Sequence, residues 1–135
     1  MTQTTNLGLN LFADSDPVLV ANINANTQKL DKLPQVVSGT FSGNGGKGSA
    51  NAVRLNFSRK PVLLFVGAHD YLLMGMRGLG TMLTRLCLST ATAGNETVNI
   101  TWGNNYVSFY SDQNASTMCN DGRTYSYVAV LADTD

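Results

Sequence analysis

Thr97-Val98-Asn99-Ile100-Thr101-Trp102-Gly103-Asn104-Asn105-Tyr106-Val107-Ser108-Phe109-Tyr110-Ser111 alternates apolar and polar residues on both sides of Asn104-Asn105. Two Asn in the centre of a two-residue loop suit the type I′ turn, which needs positive φ at both positions. That turn places Gly103 opposite Tyr106, Trp102 opposite Val107 and Ile100 opposite Phe109. Val98, Ile100, Trp102, Val107 and Phe109 then share one face, and Asn99, Thr101, Tyr106, Ser108 and Tyr110 share the other. A slip of one residue would scramble both sets, so the pattern specifies its own register. The stretch predicts a β-hairpin with one buried face, and Trp102 on that buried side.

The same grammar extends outward on both sides. Asn120-Asp121-Gly122 reads as a turn and Thr124–Leu131 as a strand. Upstream, Val36–Phe41 reads as a strand, residues 43–49 (Gly-Asn-Gly-Gly-Lys-Gly-Ser) as a flexible loop, and Ala52–Phe57 as a strand with Val53, Leu55 and Phe57 on one face. Ser58-Arg59-Lys60-Pro61 turns the chain. Val62–Val66 is a continuous apolar run, the signature of a central strand buried on both faces. In Leu72–Leu88, Gly75, Gly78 and Gly80 interrupt Leu and Met, and neither the strand nor the helix period fits; a wandering loop and a strand near Met82–Leu88 are expected. The predicted fold is mostly β, a short N-terminal helix followed by a compact antiparallel β sandwich over residues 34–135.

Residues 1–33 are different. Residues 1–15 read as an extended arm. Asp16-Pro17 is a helix-start signal, with Asp at the cap and Pro at the first helical position, and Pro34 ends the helix. Leu19, Ile23, Asn26, Leu30 and Leu33 fall on one narrow stripe. Such a stripe either lies on the chain's own domain or packs against copies of itself. Self-association is the expectation, with Asn26 as the polar residue that sets the register between copies.

Composition limits the chemistry. Charged residues make up 13% of the 135, and nine basic residues balance nine acidic ones. Asn, Thr, Ser and Gly supply more than a third of the chain, types that favour turns and strands over helices. Without a basic stripe, duplex nucleic acid and anionic membrane surfaces are poor partners. No apolar run is long enough for a transmembrane helix, and the opening residues lack the basic-then-apolar order of a signal peptide, so neither membrane insertion nor export is expected. Cys87 and Cys119 could pair, but in an unexported chain they are expected to be free and buried, and with His69 they are too few and too scattered for a metal site.

No motif supports catalysis. Lys47 is followed by Gly48 and then a strand, not by the Ser/Thr and helix of a phosphate-binding loop. His69-Asp70 has no nucleophile in a recognisable setting. Glu96, Asp112 and Asp121 sit at predicted turns, where solvated carboxylates are ordinary. Asn-X-Ser/Thr at Asn56, Asn95, Asn99 and Asn114 is what a chain rich in these residues produces by chance. A non-enzymatic protein without cofactor or metal is expected.

The outward face of the hairpin is more telling. Tyr106 and Tyr110 flank Ser108, beside Asn99 and Thr101, with Asn104 and Asn105 at the tip. Aromatic rings can cover the apolar C–H faces of sugars while amides and hydroxyls bind their hydroxyl groups. The same tyrosines could instead pack against a neighbouring subunit or loop.

Three ordered stretches resemble a group of small bacteriophage and prophage tail-fibre or receptor-binding proteins. The first runs from Asp16-Pro17 through Ile23-Asn24-Ala25-Asn26 to Lys29-Leu30-Asp31-Lys32-Leu33. The second joins Ser38-Gly39-Thr40-Phe41-Ser42-Gly43-Asn44-Gly45, Val53-Arg54-Leu55-Asn56-Phe57 and Lys60-Pro61-Val62-Leu63-Leu64-Phe65-Val66. The third is Val107–Tyr110 followed by Gly122-Arg123-Thr124-Tyr125-Ser126-Tyr127-Val128-Ala129-Val130. Phe41 stands where the group usually has Tyr, Asn56 where it has Gly, and Lys60-Pro61 where it has Pro-Lys. The resemblance implies a homotrimer assembled in the host cytoplasm into a virion, in contact with other phage tail or baseplate proteins. It also implies attachment to a host cell surface, for which a glycan suits the neutral chain; it carries no catalytic residues. The alternatives are a purely architectural baseplate or head-decoration protein, a hydrolase of surface polysaccharide, and a cellular lectin.

Overall fold

The computed structural model describes residues 1–68, 71–79, 81–85, 95–112 and 121–132. Two compact units are present, Met1–Pro34 and Gln35–Ala132.

In the first unit, residues read as an arm form a small antiparallel pair, β1 (Thr2–Gln3) with β2 (Asn10–Leu11). The helix α1 spans Val20–Asp31 and begins later than Asp16-Pro17 predicts. The Asp16 carboxylate accepts from Ala13 N at 2.9 Å, and Asp16 N donates to Ala13 O at 2.9 Å. Asp16 thus closes a turn at Ala13–Asp16 and is not available as a cap. Leu19 takes the cap position with an extended backbone and no side-chain hydrogen bond.

The second unit is an eight-stranded antiparallel sheet built from β3 (Gln35–Ser42), β4 (Val53–Asn56), β5 (Pro61–Ala68), β6 (Tyr71–Met76), β7 (Thr81–Arg85), β8 (Asn95–Trp102), β9 (Tyr106–Tyr110) and β10 (Thr124–Leu131). Their spatial order is β3-β10-β5-β6-β7-β8-β9-β4. From β5 to β9 the chain is a meander, and β10 then returns to lie between β3 and β5. The sheet folds over on itself: Phe41 of β3 touches Phe109 of β9, and Phe57, just after β4, touches Tyr127 of β10. The two ends of the hydrogen-bonded order thereby become the two layers of a β sandwich. Between them lie Val53, Leu55, Leu64, Val66, Leu73, Val98, Ile100, Val107, Phe109, Tyr125, Ala129 and Leu131.

The hairpin register agrees with the sequence pattern. Ile100 pairs with Phe109 and Trp102 with Val107, and Gly103 N donates to Tyr106 O at 2.9 Å to close the turn. Two expectations are corrected. In the glycine-broken stretch after residue 70, β6 forms where a wandering loop was expected, because β5 and β7 on either side supply hydrogen-bond partners, while β7 overlaps the strand expected near Met82–Leu88. β5 is central, as the apolar run predicts, but Pro61, Leu64 and Val66 are buried while Leu63 and Phe65 are only half-buried on the opposite face. The glycine loop carries hydrogen bonds of its own: Asn44 Oδ1 accepts from Gly46 N at 2.9 Å, Asn51 Nδ2 donates to Lys47 O at 3.0 Å, and Gly48 N donates to Ser111 O at 2.9 Å. His69, Asp70, Cys87, Asn114, Cys119 and Asn120 lie outside the described residues, and with them the expected free thiols.

Candidate functional site

The face opposite the core on β8, β9 and β4 gathers the predicted binding residues. Tyr106, Ser108 and Tyr110 alternate with buried Val107 and Phe109 along β9, so all three side chains leave the sheet on the same side. Across the strand pairs, Tyr110 stands opposite Asn99, Ser108 opposite Thr101 and Arg54, and Tyr106 opposite Asn56. Asn104 and Asn105 are exposed at the turn. Asn105 also braces it, its carbonyl accepting from Phe57 N at 2.8 Å.

The sequence pattern did not bring Arg54 into this group. Its guanidinium lies 3.7 Å from the centroid of the Tyr106 ring, a close cation–π contact, and its Nε donates to Asn56 Oδ1 at 3.2 Å. Alternation along Val53-Arg54-Leu55-Asn56 does put Arg54 and Asn56 outward; what was missing was the pairing of β4 with β9, far away in sequence. At the other end of the face, Asn99 Nδ2 reaches Asp112 Oδ2 at 3.4 Å. The face is therefore neutral in sum, with a cation by Tyr106 and an acid by Asn99.

Tyr106 is held in place from two sides. Besides Arg54, its ring lies where a Cβ on Gly103 would be, so only glycine fits opposite it in the turn. A ring fixed before a ligand arrives loses little side-chain entropy on binding. One of its faces is already covered by the guanidinium, so a sugar would stack on the other. Ser108 lies between the two, with donor and acceptor capacity.

Behind this face Trp102 is half-buried against the core, on the side predicted for it. Its Nε1 is buried and meets no hydrogen-bond partner among the described residues. Arg77 sits 5.5 Å from the indole ring centroid, while its Nε donates to Pro61 O at 2.7 Å and its Nη2 to Gly103 O at 2.5 Å. One arginine thus links the hairpin turn to the start of β5.

The predicted self-association residues lie on α1 and its ends. Leu19, Ile23 and Leu30 are about half exposed, Leu33 is half-buried, and none of the residues of α1, all of them described, is buried. Asn26 has its amide engaged within the chain: Oδ1 accepts from Asn10 N at 2.6 Å and Nδ2 donates to Asn10 O at 3.0 Å. Lys29 Nζ adds a hydrogen bond to Gly8 O. Asn26, in the middle of the stripe, is thus engaged within the chain, while Leu19, Ile23 and Leu30 stay about half exposed.

Among the described residues no three His, Cys, Asp or Glu side chains come together as a metal site requires. Compared with models of protein families, with curated proteins and with solved structures, the chain matches none.

Proposed function

We propose that the protein is a non-enzymatic virion structural component of a phage tail fibre or baseplate that assembles as a homotrimer and binds a host cell-surface glycan through the outward face of the β8–β9 hairpin. The phage assignment rests on the ordered resemblance of the three sequence stretches. The observation that carries the assembly reading is α1, which buries none of its residues although its apolar side chains share one stripe. A twelve-residue helix is marginal in water unless an apolar face is covered. Copies packed along Leu19, Ile23, Leu30 and Leu33 would supply that cover, and would present three weak sugar sites together for avidity.

Tyr106, Ser108 and Tyr110, with Asn104 and Asn105, are the proposed ligand contacts. The test is adsorption of Tyr106→Ala and Tyr110→Ala proteins to a panel of bacterial cells and to their purified surface polysaccharides, after circular dichroism has verified the fold. Loss of adsorption by both variants is the expected result. Adsorption equal to wild type for both would remove this face as the receptor site. A second reading, a purely architectural baseplate or head-decoration protein, is favoured by Arg54, whose stacking on Tyr106 also suits a face built for subunit contact.

A further inference from the structure

The outer face of the layer β3-β10-β5-β6 is apolar where a solvent-facing sheet alternates to polar. Two cross-strand rows run over it. Val36, Val130, Leu63 and Met76 stand opposite one another in the first row, and Ser38, Val128, Phe65 and Met74 in the second. Val36 is 72% exposed, Met76 57%, Met74 52% and Val128 41%, while Val130, Leu63 and Phe65 are half-buried. Their strand neighbours Leu64, Val66, Leu73, Ala129 and Leu131 point the other way into the core. None of the residues of these four strands is Asp, Glu, Lys, Arg or His.

We propose that this face is a contact surface between copies of the chain. Charge is the first argument. A face that meets its own copy is cheapest to bury when it takes no ion out of water and sets no like charges against each other near the symmetry axis. Four strands with no ionisable residue other than tyrosine meet that requirement, and they lack the charged side chains with which solvent-exposed sheets resist association. A glycan or nucleic acid would find few polar groups here, because only Ser38, Thr40, Ser126 and the strand ends supply them.

Size is the second argument. Three strands of eight residues and the six-residue β6, about 4.8 Å apart at about 3.4 Å per residue, cover roughly 500 Å² in plan, more when side-chain relief is included. That lies in the upper part of the roughly 300–600 Å² range of the largest patch on a monomer, where patches are often functional, and side-chain relief brings it toward the ~800 Å² per partner of a stable interface. The apolar rows would form the dry centre, and the Ser and Thr hydroxyls of the same face the polar rim. This inference stands on the sheet alone and holds whether or not the hairpin binds a glycan.

The test is sedimentation equilibrium of the full chain and of Val128→Glu, Met74→Glu and Val36→Glu variants. Val128 and Met74 flank Phe65, and each is exposed enough to accept Glu without entering the core. Wild type should associate, and each Glu should raise the dissociation constant by about a hundredfold or more, because copies then place like charges in an apolar contact. Val36, the most exposed and on an edge strand, serves if either inner variant fails to fold. Mixing Val128→Lys with Val128→Glu chains should restore association. A wild type that stays monomeric, which would assign the face to a different partner, overturns the proposal. So does an oligomer that all three Glu variants leave unchanged, which would place assembly on α1.

Discussion

Phe41 and Phe109 meet edge to face, ring centroids 6.0 Å apart and planes at 71°, although β3 and β9 stand near opposite ends of the hydrogen-bonded sheet. The contact joins the two layers, and Phe41 also stacks on Tyr125 at 5.2 Å. Phe109 is fully buried, so Phe109→Ala should cost about 3–5 kcal/mol of stability in urea unfolding. A double-mutant cycle of Phe41→Leu and Phe109→Leu should show a coupling of roughly 0.5–1.5 kcal/mol. Strict additivity would mean that the rings do not interact.

Arg77 tests the link between turn and strand. Its two carbonyl partners, Pro61 O and Gly103 O, belong to segments with no strand pairing to each other. Arg77→Met should destabilise the protein by about 2–4 kcal/mol, since charged donors to carbonyls are worth more than neutral ones. Arg77→Lys should recover only part of this, because a single ammonium cannot reproduce the planar fork. Thermal melts of the three proteins, ordered wild type, Lys, Met, are the check.

Trp102 should separate size from polarity. Trp102→Ala should cost about 3–5 kcal/mol by removing a large ring packed on the core. Trp102→Phe should cost far less than that, about 1 kcal/mol or nothing, because it also removes a buried N–H that has no partner among the described residues. Equal destabilisation by Ala and Phe in denaturant titrations would count against this account.

Asn26 distinguishes contact within the chain from contact between copies. Asn26→Leu abolishes both hydrogen bonds to the Asn10 backbone, at a cost of about 1–3 kcal/mol to the docking of β2. Hydrogen exchange at the Asn10 amide should accelerate accordingly. If the stripe of α1 lies between copies, the same substitution should also tighten association, since an apolar residue replaces a polar one in the seam. Measuring exchange and mass on one sample reads both effects.

The hairpin was legible because two signals coincide there: a two-residue Asn-Asn loop and alternation on both arms that only one register satisfies. β6 was not legible, whereas β7 overlaps the strand expected near Met82–Leu88. Gly75 and the Leu-Met run give no period, and strand formation at such sites comes from neighbours more than from intrinsic preference. Asp16 misled for a local reason, since its carboxylate takes Ala13 N as partner before a helix can use it. In the candidate site, β9 declared its tyrosines through alternation alone. Arg54 emerged only with the pairing of β4 to β9, which no local pattern encodes.

The position of β3 beside β10 bears on the timing of synthesis. Every residue from Gln35 to Ser42 pairs with one between Thr124 and Leu131, so the first strand of this sheet to leave the ribosome must wait until those later residues have emerged. The meander from β5 to β9 can form in the meantime from near neighbours, but β3 stays without a template and with Val36 and Phe41 open to other chains. Long-range pairings of this kind form slowly, and nascent copies on one messenger are close together during that interval. Under the proposed self-assembly, the chain faces a choice between orderly partnering and aggregation before release, and expression at low temperature with slow initiation should favour the first.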